Sequence, residues 1–227
     1  MKLFDFLGPL LLICCPLVVL AQSTGNPQNT IYTKAVQLNI GTQGIGAAFN
    51  YGFTDKFTAR AGINVIPIKA NDVFKISGLN SSSHVSANFY NLHLLADYAL
   101  FNGVDWFRIV GGFAYFIKAK GDVRIIPSDD YQYGDLTLTE EQIGYVDLKV
   151  DWKGLAPYLG IGLLRSFPKR KFNVNMDLGT YYLHRPKANI IGTGILSGNS
   201  SQTPQFQSNI KDYRWFPIVQ VNFNYKF

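Results

Sequence analysis

The last fifteen residues, Tyr213-Arg-Trp-Phe-Pro-Ile-Val-Gln-Val-Asn-Phe-Asn-Tyr-Lys-Phe227, decide the fold. Odd positions carry Tyr213, Trp215, Pro217, Val219, Val221, Phe223, Tyr225 and Phe227. Even positions carry Arg214, Phe216, Ile218, Gln220, Asn222, Asn224 and Lys226. Successive side chains of a strand point to opposite faces, so this stretch reads as one strand with an apolar face and an amide-rich face.

The same alternation recurs backwards along the chain. It is found at Lys171–Pro186, Val150–Ser166, Trp106–Lys120, Val85–Leu100, Phe57–Lys69, Gly44–Phe53 and Ile31–Gly41. The apolar faces carry residues such as Leu38, Phe49, Ile63, Leu92, Phe113, Leu159 and Val174. The opposite faces carry Asn, Gln, Gly and Thr, with Arg60, His93, Asp97, Arg108, Lys118, Asp177 and Arg185. Eight segments, an even number, predict an all-β, eight-stranded, antiparallel up-and-down transmembrane β-barrel. Connections at Thr54–Lys56, Phe101–Asp105 and Phe167–Arg170 are tight, and Thr42–Gln43 is short. Those at Ala70–His84, Gly121–Lys149 and Lys187–Lys211 are long. Short periplasmic turns against long outer loops are the layout of an outer-membrane barrel.

The apolar face has to meet something. In a soluble barrel it points inward, and the outer face is rich in charge. Here only 16% of the 227 residues are charged, and only two are Glu, Glu140 and Glu141. Small and amide side chains suit a narrow hydrogen-bonded lumen, which leaves the apolar face for lipid. Aromatics make up 15% of the chain, and many sit near strand ends. Phe53, Phe57, Phe107, Phe172, Phe223, Tyr225 and Phe227 would form one interfacial girdle, and Tyr115, Tyr182, Tyr213 and Trp215 the other. At 47% hydrophobic residues, the chain is too apolar for intrinsic disorder.

The start of the chain reads as an address. Lys2 precedes an apolar run, Pro9–Leu20, and Val19 and Ala21 are small residues suited to cleavage after Ala21. The organisation expected is a signal peptide over 1–21, a short periplasmic segment over 22–30 and a barrel over 31–227. Cys14 and Cys15 leave with the signal, so neither staples the fold.

Turn geometry sets two pairings. A hairpin centred between Asn102 and Gly103 puts Asp97 opposite Arg108, which predicts a buried cross-strand ion pair. The Thr54–Lys56 turn puts Asn50 opposite Arg60. Pro67, Pro157 and Pro217 cannot donate to a ladder and are read as bulges or fraying at the outer rim.

The run Gly41-Thr-Gln-Gly-Ile-Gly-Ala-Ala-Phe-Asn-Tyr-Gly-Phe-Thr-Asp-Lys-Phe-Thr-Ala-Arg-Ala-Gly-Ile-Asn64 resembles the opening hairpin of small outer-membrane barrels of Bacteroidetes-type bacteria. These are OmpA/OmpW-like proteins of eight strands. The closing run Val219-Gln-Val-Asn-Phe-Asn-Tyr-Lys-Phe227 is similar to the signal that the barrel-assembly machinery reads. On that likeness, Val219, Val221, Phe223, Tyr225 and Phe227 are the assembly signal. The resemblance implies a location in the outer membrane, with lipid and the assembly machinery as partners. It implies no single activity.

Candidate sites are sparse. His93 shares the lumen face with Asn91 and Asp97, but no Gly-x-Ser-x-Gly elbow accompanies it. A lumen polar network of Arg60, Asp97, Arg108, Asp177 and His93 is therefore expected, with no catalytic residue. His184 is read as pointing outward near the outer rim. No His-x-x-x-His pair occurs, and the acids of Gly121–Asp151 follow no calcium-loop pattern. Gly41-Thr-Gln-Gly-Ile-Gly opens no helix and lacks the phosphate-loop Lys, so no cofactor is expected. The net charge of +6 is segregated, because the segment Gly121–Asp151 alone carries −6. Basic residues form no aromatic-interleaved stripe, so nucleic acid is not an expected partner. The function expected is a non-enzymatic structural, interaction or assembly role through the outer loops or periplasmic turns. The alternatives are a narrow porin-like channel or carrier and a lipid-modifying enzyme.

Overall fold

A computed structural model describes residues 33–71, 81–101, 106–127, 131–133 and 136–227. The cleavage position Ala21 and the segment 22–30 lie outside them. Eleven strands are described: β1 (Thr33–Gly41), β2 (Gly44–Gly52), β3 (Phe57–Asn71), β4 (Ser81–Tyr98), β5 (Phe107–Pro127), β6 (Tyr131–Tyr133), β7 (Leu136–Leu138), β8 (Val146–Leu163), β9 (Phe172–Tyr182), β10 (Lys187–Gly192) and β11 (Trp215–Lys226). Eight of them close a ring in the order β1, β2, β3, β4, β5, β8, β9, β11, sealed by antiparallel pairing of β11 with β1. The chain is an all-β, eight-stranded antiparallel barrel. Among the described residues, no helix is long and apolar enough to cross a membrane.

The period-two pattern produces this closure. Every second residue of a strand turns inward, and a closed ring has no exposed edge. At the tightest turn Gly41 pairs with Gly44, whose φ of +87° is open to glycine and strained for other residues.

The barrel has two unlike ends. The C-terminus and the connections after β2, β4 and β8 share one end, called here the turn end. The other, loop end extends beyond the ring. β5 runs on to Pro127, and β8 starts at Val146, so much of the expected loop Gly121–Lys149 is strand. It also holds the hairpin β6–β7 and a short helix, α1 (Glu140–Ile143).

The expected loop Lys187–Lys211 is likewise built. β10 pairs with the outer part of β8 from Val146 to Asp151, and a 3-10 helix (Gly194–Gln202) and α2 (Thr203–Ile210) follow. An unpaired strand edge needs protection. The N–H groups of Ala188, Ile190 and Gly192 donate to Gln207 Oε1 (2.7 Å), Thr203 Oγ1 (3.1 Å) and Ser200 Oγ (2.9 Å). The helical segment thus gives the free edge of β10 a row of side-chain acceptors.

Two sequence readings of the wall are corrected. Pro67, Pro157 and Pro217 stand opposite Asn88, Phe113 and Thr180 with no register shift, and all three are exposed. Pro157 lies mid-strand rather than at a rim. It sits where β8 has left β10 at Asp151 and has yet to take up β9 at Tyr158, a step where a ring nitrogen leaves no N–H unpaired. The irregularity lies elsewhere. Tyr90 pairs with Lys118 and Asn91 with Phe116, while on the other side Gly154 pairs with Phe116 and Trp152 with Ala119. β5 therefore holds one extra residue at Ile117–Lys118, a bulge that inverts the alternation beyond it. Lys118, expected in the lumen, is exposed, and Ala119 is buried in its place.

Candidate functional site: a filled lumen inside an apolar belt

Four strands each send one charged side chain into the turn-end part of the lumen. Arg60 comes from β3, Asp97 from β4, Arg108 from β5 and Asp177 from β9. Arg60 Nε lies 2.7 Å from Asp97 Oδ2, and Arg60 Nη1 lies 2.7 Å from Asp177 Oδ2. Arg108 Nη1 lies 3.1 Å from Asp97 Oδ1, and Arg108 Nη2 lies 2.6 Å from Asp177 Oδ1. Each cation therefore touches both anions, and none of the four side chains is more than 3% exposed. Two positive and two negative charges balance. A buried charge is tolerable only when paired and hydrogen-bonded, and this arrangement meets that requirement.

The register behind the cluster differs from the hairpin reading in one respect. Asn50 does stand opposite Arg60. Asp97 stands opposite Val110, two residues beyond Arg108. The described pairing is therefore shifted by two residues along β5 from that reading. Side chains two residues apart share a face, so Arg108 still reaches Asp97, along a diagonal.

Amides extend the network towards β1 and β11, which sequence reasoning left out of the site. Arg108 Nη2 donates to Asn175 Oδ1 (2.9 Å), and Asn222 Nδ2 donates to Asp177 Oδ2 (2.8 Å). Gln37 Nε2 donates to Asn222 Oδ1 (2.9 Å), and Asn50 Nδ2 bridges to Gln37 Oε1 and Asn224 Oδ1. Ser166 Oγ, from the turn end, donates to Asp97 Oδ2 at 2.8 Å. His93 sits at the margin, buried, with Nδ1 2.9 Å from Asn64 Nδ2.

Towards the loop end the lumen becomes aromatic. Phe116, Tyr158, Tyr181 and Ile218 are buried there, with Phe89, Trp152 and Phe216 packed against them. Phe89 stacks on Phe216 (5.4 Å between centroids), and Phe116 meets Tyr181 edge-on (5.4 Å). Edge-on and offset contacts of this kind suit the ring quadrupoles. Trp152 Nε1 donates to the carbonyl of Tyr213 (3.0 Å) and so hangs from the loop end. Tyr158, Tyr181 and Phe216 lie at lumen positions of the alternation, so parity alone marked them. The lumen is filled by a charge layer and an aromatic layer in series, as expected of a ring only eight strands wide.

Outside, the polarity is reversed. Leu38, Leu159, Ile45 and Ile63 are 63%, 67%, 64% and 50% exposed, and Leu92, Phe113, Leu155 and Val219 face the same way. Aromatics crowd the turn end, where Phe101, Trp106, Phe172, Tyr225 and Phe227 are exposed. At the other end Tyr115, Tyr213 and Trp215 are exposed, and Tyr182 packs 4.7 Å from Trp215. Val219, Phe223, Tyr225 and Phe227 of the C-terminal run belong to this outer face.

At the loop end two of the described acids of Gly121–Asp151, Asp147 and Asp151, are engaged by cations. Arg124 donates to Asp147 through Nε (2.6 Å) and Nη2 (2.8 Å), Lys149 Nζ lies 3.6 Å from Asp147, and Lys120 Nζ lies 3.5 Å from Asp151. The Arg124 hydrogen bonds hold the Asp147 carboxyl below its ordinary pKa of 3.8 and raise that of Arg124 in turn. Asp129, Asp130 and Asp135 lie outside the described residues. Among the described residues no group of three or more His, Cys, Asp or Glu gathers as for a metal ion.

No family model matches the chain, and no curated protein matches it. Among solved structures the chain is similar to Acinetobacter baumannii CarO, with a TM-score of 0.62 at 18% identity, over 88% of this chain and 100% of that one. It is also similar to Acinetobacter baumannii CarO2, with a TM-score of 0.61 at 20% identity and the same coverage. At these identities the likeness extends to the fold.

Proposed function

We propose that the chain is an integral outer-membrane β-barrel protein with a sealed lumen. In this reading it has no enzymatic activity and acts through the structured surface at its loop end. The observation that carries the membrane reading is the belt of exposed Leu, Ile, Val, Phe and Tyr side chains around a polar, charged interior. Contiguous apolar surface on this scale marks a membrane or partner surface. Each such side chain left in water forgoes about 1.5–3 kcal/mol of burial. A closed barrel is also one of the few folds that satisfies its backbone in hydrocarbon. The aromatic crowding at both ends supports the same reading, because Trp and Tyr settle at membrane interfaces.

The turn end then faces the periplasm, and β10, α2 and the β5–β8 extension face outward. The apolar face ending in Phe227 would serve recognition by the assembly machinery during insertion. The charge and aromatic layers that occupy the lumen support a structural or interaction role over conduction. Catalysis has no support at His93, whose described partner is an amide.

Heat-modifiable gel migration tests the membrane barrel. The extracted protein is expected to run faster unboiled than boiled, and identical migration of a periplasm-soluble protein would overturn the reading. Planar-bilayer recording tests the seal. Purified protein is expected to give no unitary steps, whereas steps altered by Arg108→Ala would make the chain a channel.

A further inference from the structure

On the outer face, at the loop-end margin of the apolar belt, four exposed basic residues lie on three neighbouring segments. The β5 bulge turns Lys118 out of the lumen and places it beside Lys153 of β8. The link between β9 and β10 passes next to them. A Cβ built on Gly154 would lie 3.7 Å from His184 Nδ1; His184 is exposed, and so is Arg185, expected on the lumen face but lying beyond the end of β9 at Tyr182. Among the described residues, Lys118, Lys153 and Arg185 make no ion pair. The nearest acid along the strand, Asp151, already carries Lys120 at 3.5 Å and faces Lys187 in the ladder.

Two features fix the depth of this patch. Directly inboard on the same strands stand Ile117, Tyr115 and Leu155, each more than 40% exposed, so the patch continues the belt without a break. At the same level β8 has no ladder partner on its β9–β10 side between Asp151 and Tyr158. Backbone without a ladder partner is costly among lipid tails, which favours placing Lys153, at the outer end of this stretch, with the headgroups.

We infer that Lys118, Lys153, His184 and Arg185 bind the phosphate of an outer-leaflet lipid headgroup, with its acyl chains lying along Tyr115, Leu155 and their neighbours. The inference rests on the membrane-barrel reading and gives one of its lipid contacts a site. Lys and Arg suit phosphate as point charge and planar fork respectively, and the adjoining apolar strip favours a lipid over a free anion.

The test uses full-length barrel in neutral-lipid nanodiscs doped with bisphosphorylated lipid A or with lipid A stripped of its phosphates. Retained lipid is read by native mass spectrometry. Wild-type protein is expected to keep the phosphorylated form selectively. The variant Lys118→Gln/Lys153→Gln/Arg185→Gln is expected to bind it about a hundredfold more weakly, at roughly 1 kcal/mol per basic residue near an anionic surface. Lys118→Arg/Lys153→Arg should retain it, and Lys56→Gln at the turn end should change nothing. Equal retention of both lipid forms, or by the triple variant, would overturn the site. Inorganic phosphate that displaces the lipid at matching concentration would overturn the lipid assignment. Heat-modifiable migration of each variant is scored separately, so failure of the barrel reading is distinguishable from failure of the phosphate site.

Discussion

Arg108 lies 2.6 Å from Asp177 although a whole strand separates them, because the residue between them in the row is Gly162. A Cβ at Gly162 would overlap the guanidinium. This glycine is required for its missing side chain rather than for a turn. Gly162→Ala is expected to destabilise the barrel by about 1–3 kcal/mol, the usual cost of overpacking a filled interior. The midpoint of urea unfolding, followed by loss of the fast-migrating unboiled form, checks it. An unchanged midpoint would mean that Arg108 has another route to Asp177.

The four-charge cluster makes a prediction about non-additivity. Asp177→Asn and Asp97→Asn each leave two guanidinium groups sharing one carboxylate where no side chain of the cluster is more than 3% exposed. Each is expected to cost on the order of 3–5 kcal/mol, as when one partner of a buried pair is removed. Replacing all four charges at once, as Arg60→Met, Asp97→Leu, Arg108→Met and Asp177→Leu, removes the desolvation penalty with the attraction. The quadruple variant should therefore lose less than the sum of the single changes. Unfolding midpoints across the mutant cycle measure this, and strict additivity would argue against a coupled cluster.

The outer extension gives a pH dependence with a defined sign. Hydrogen bonds from Arg124 lower the folded-state pKa of Asp147 below 3.8. The unfolded chain then binds this proton more readily than the folded one. The stabilisation is complete above the unfolded carboxyl pKa, about 3.9, and is lost as pH falls through the lower folded value. The difference in Tm between wild type and Asp147→Asn should be flat above about pH 5 and shrink below about pH 4. A difference that grows on acidification would contradict the pairing.

Much of this architecture was legible because two environments select different residues at alternating positions. Tyr213–Phe227 shows it: every lipid-side position is apolar, and the lumen side carries amides that find partners in Asn175, Gln37 and Asn50. The ring, its strand number and the face of each cluster member follow from that parity. Other features were not legible, because they depend on distances along the chain that parity does not record. The β4–β5 pairing is shifted by two residues from the hairpin centred between Asn102 and Gly103, which preserves faces and changes partners. The acceptors Ser200, Thr203 and Gln207 serve the edge of β10 only after two helical turns bring them into line, and polar residues at such spacing read equally well as a solvated loop.

The β5 bulge is the other feature that parity could not reveal, and it makes a sharp prediction. Ile117 and Lys118 together stand against one residue on each neighbour, so one of them is surplus to the ladder. Deleting Ile117 would leave Phe116 against Gly154, Lys118 against Lys153 and Ala119 against Trp152, with every face unchanged. The shortened protein is expected to fold, to keep its heat-modifiable migration and to lose little stability. Deleting Ile109 instead must be absorbed between the β4–β5 turn and Val110. It carries Arg108 to the lipid face and strips Asp97 and Asp177 of a partner, because a one-residue slip exchanges faces. That variant should lose on the order of 3–5 kcal/mol or fail to fold. The two deletions remove the same residue type from the same strand, only eight positions apart. Equal loss in both would show that β5 is regular at Ile117, and equal tolerance would show that the position of Arg108 does not matter.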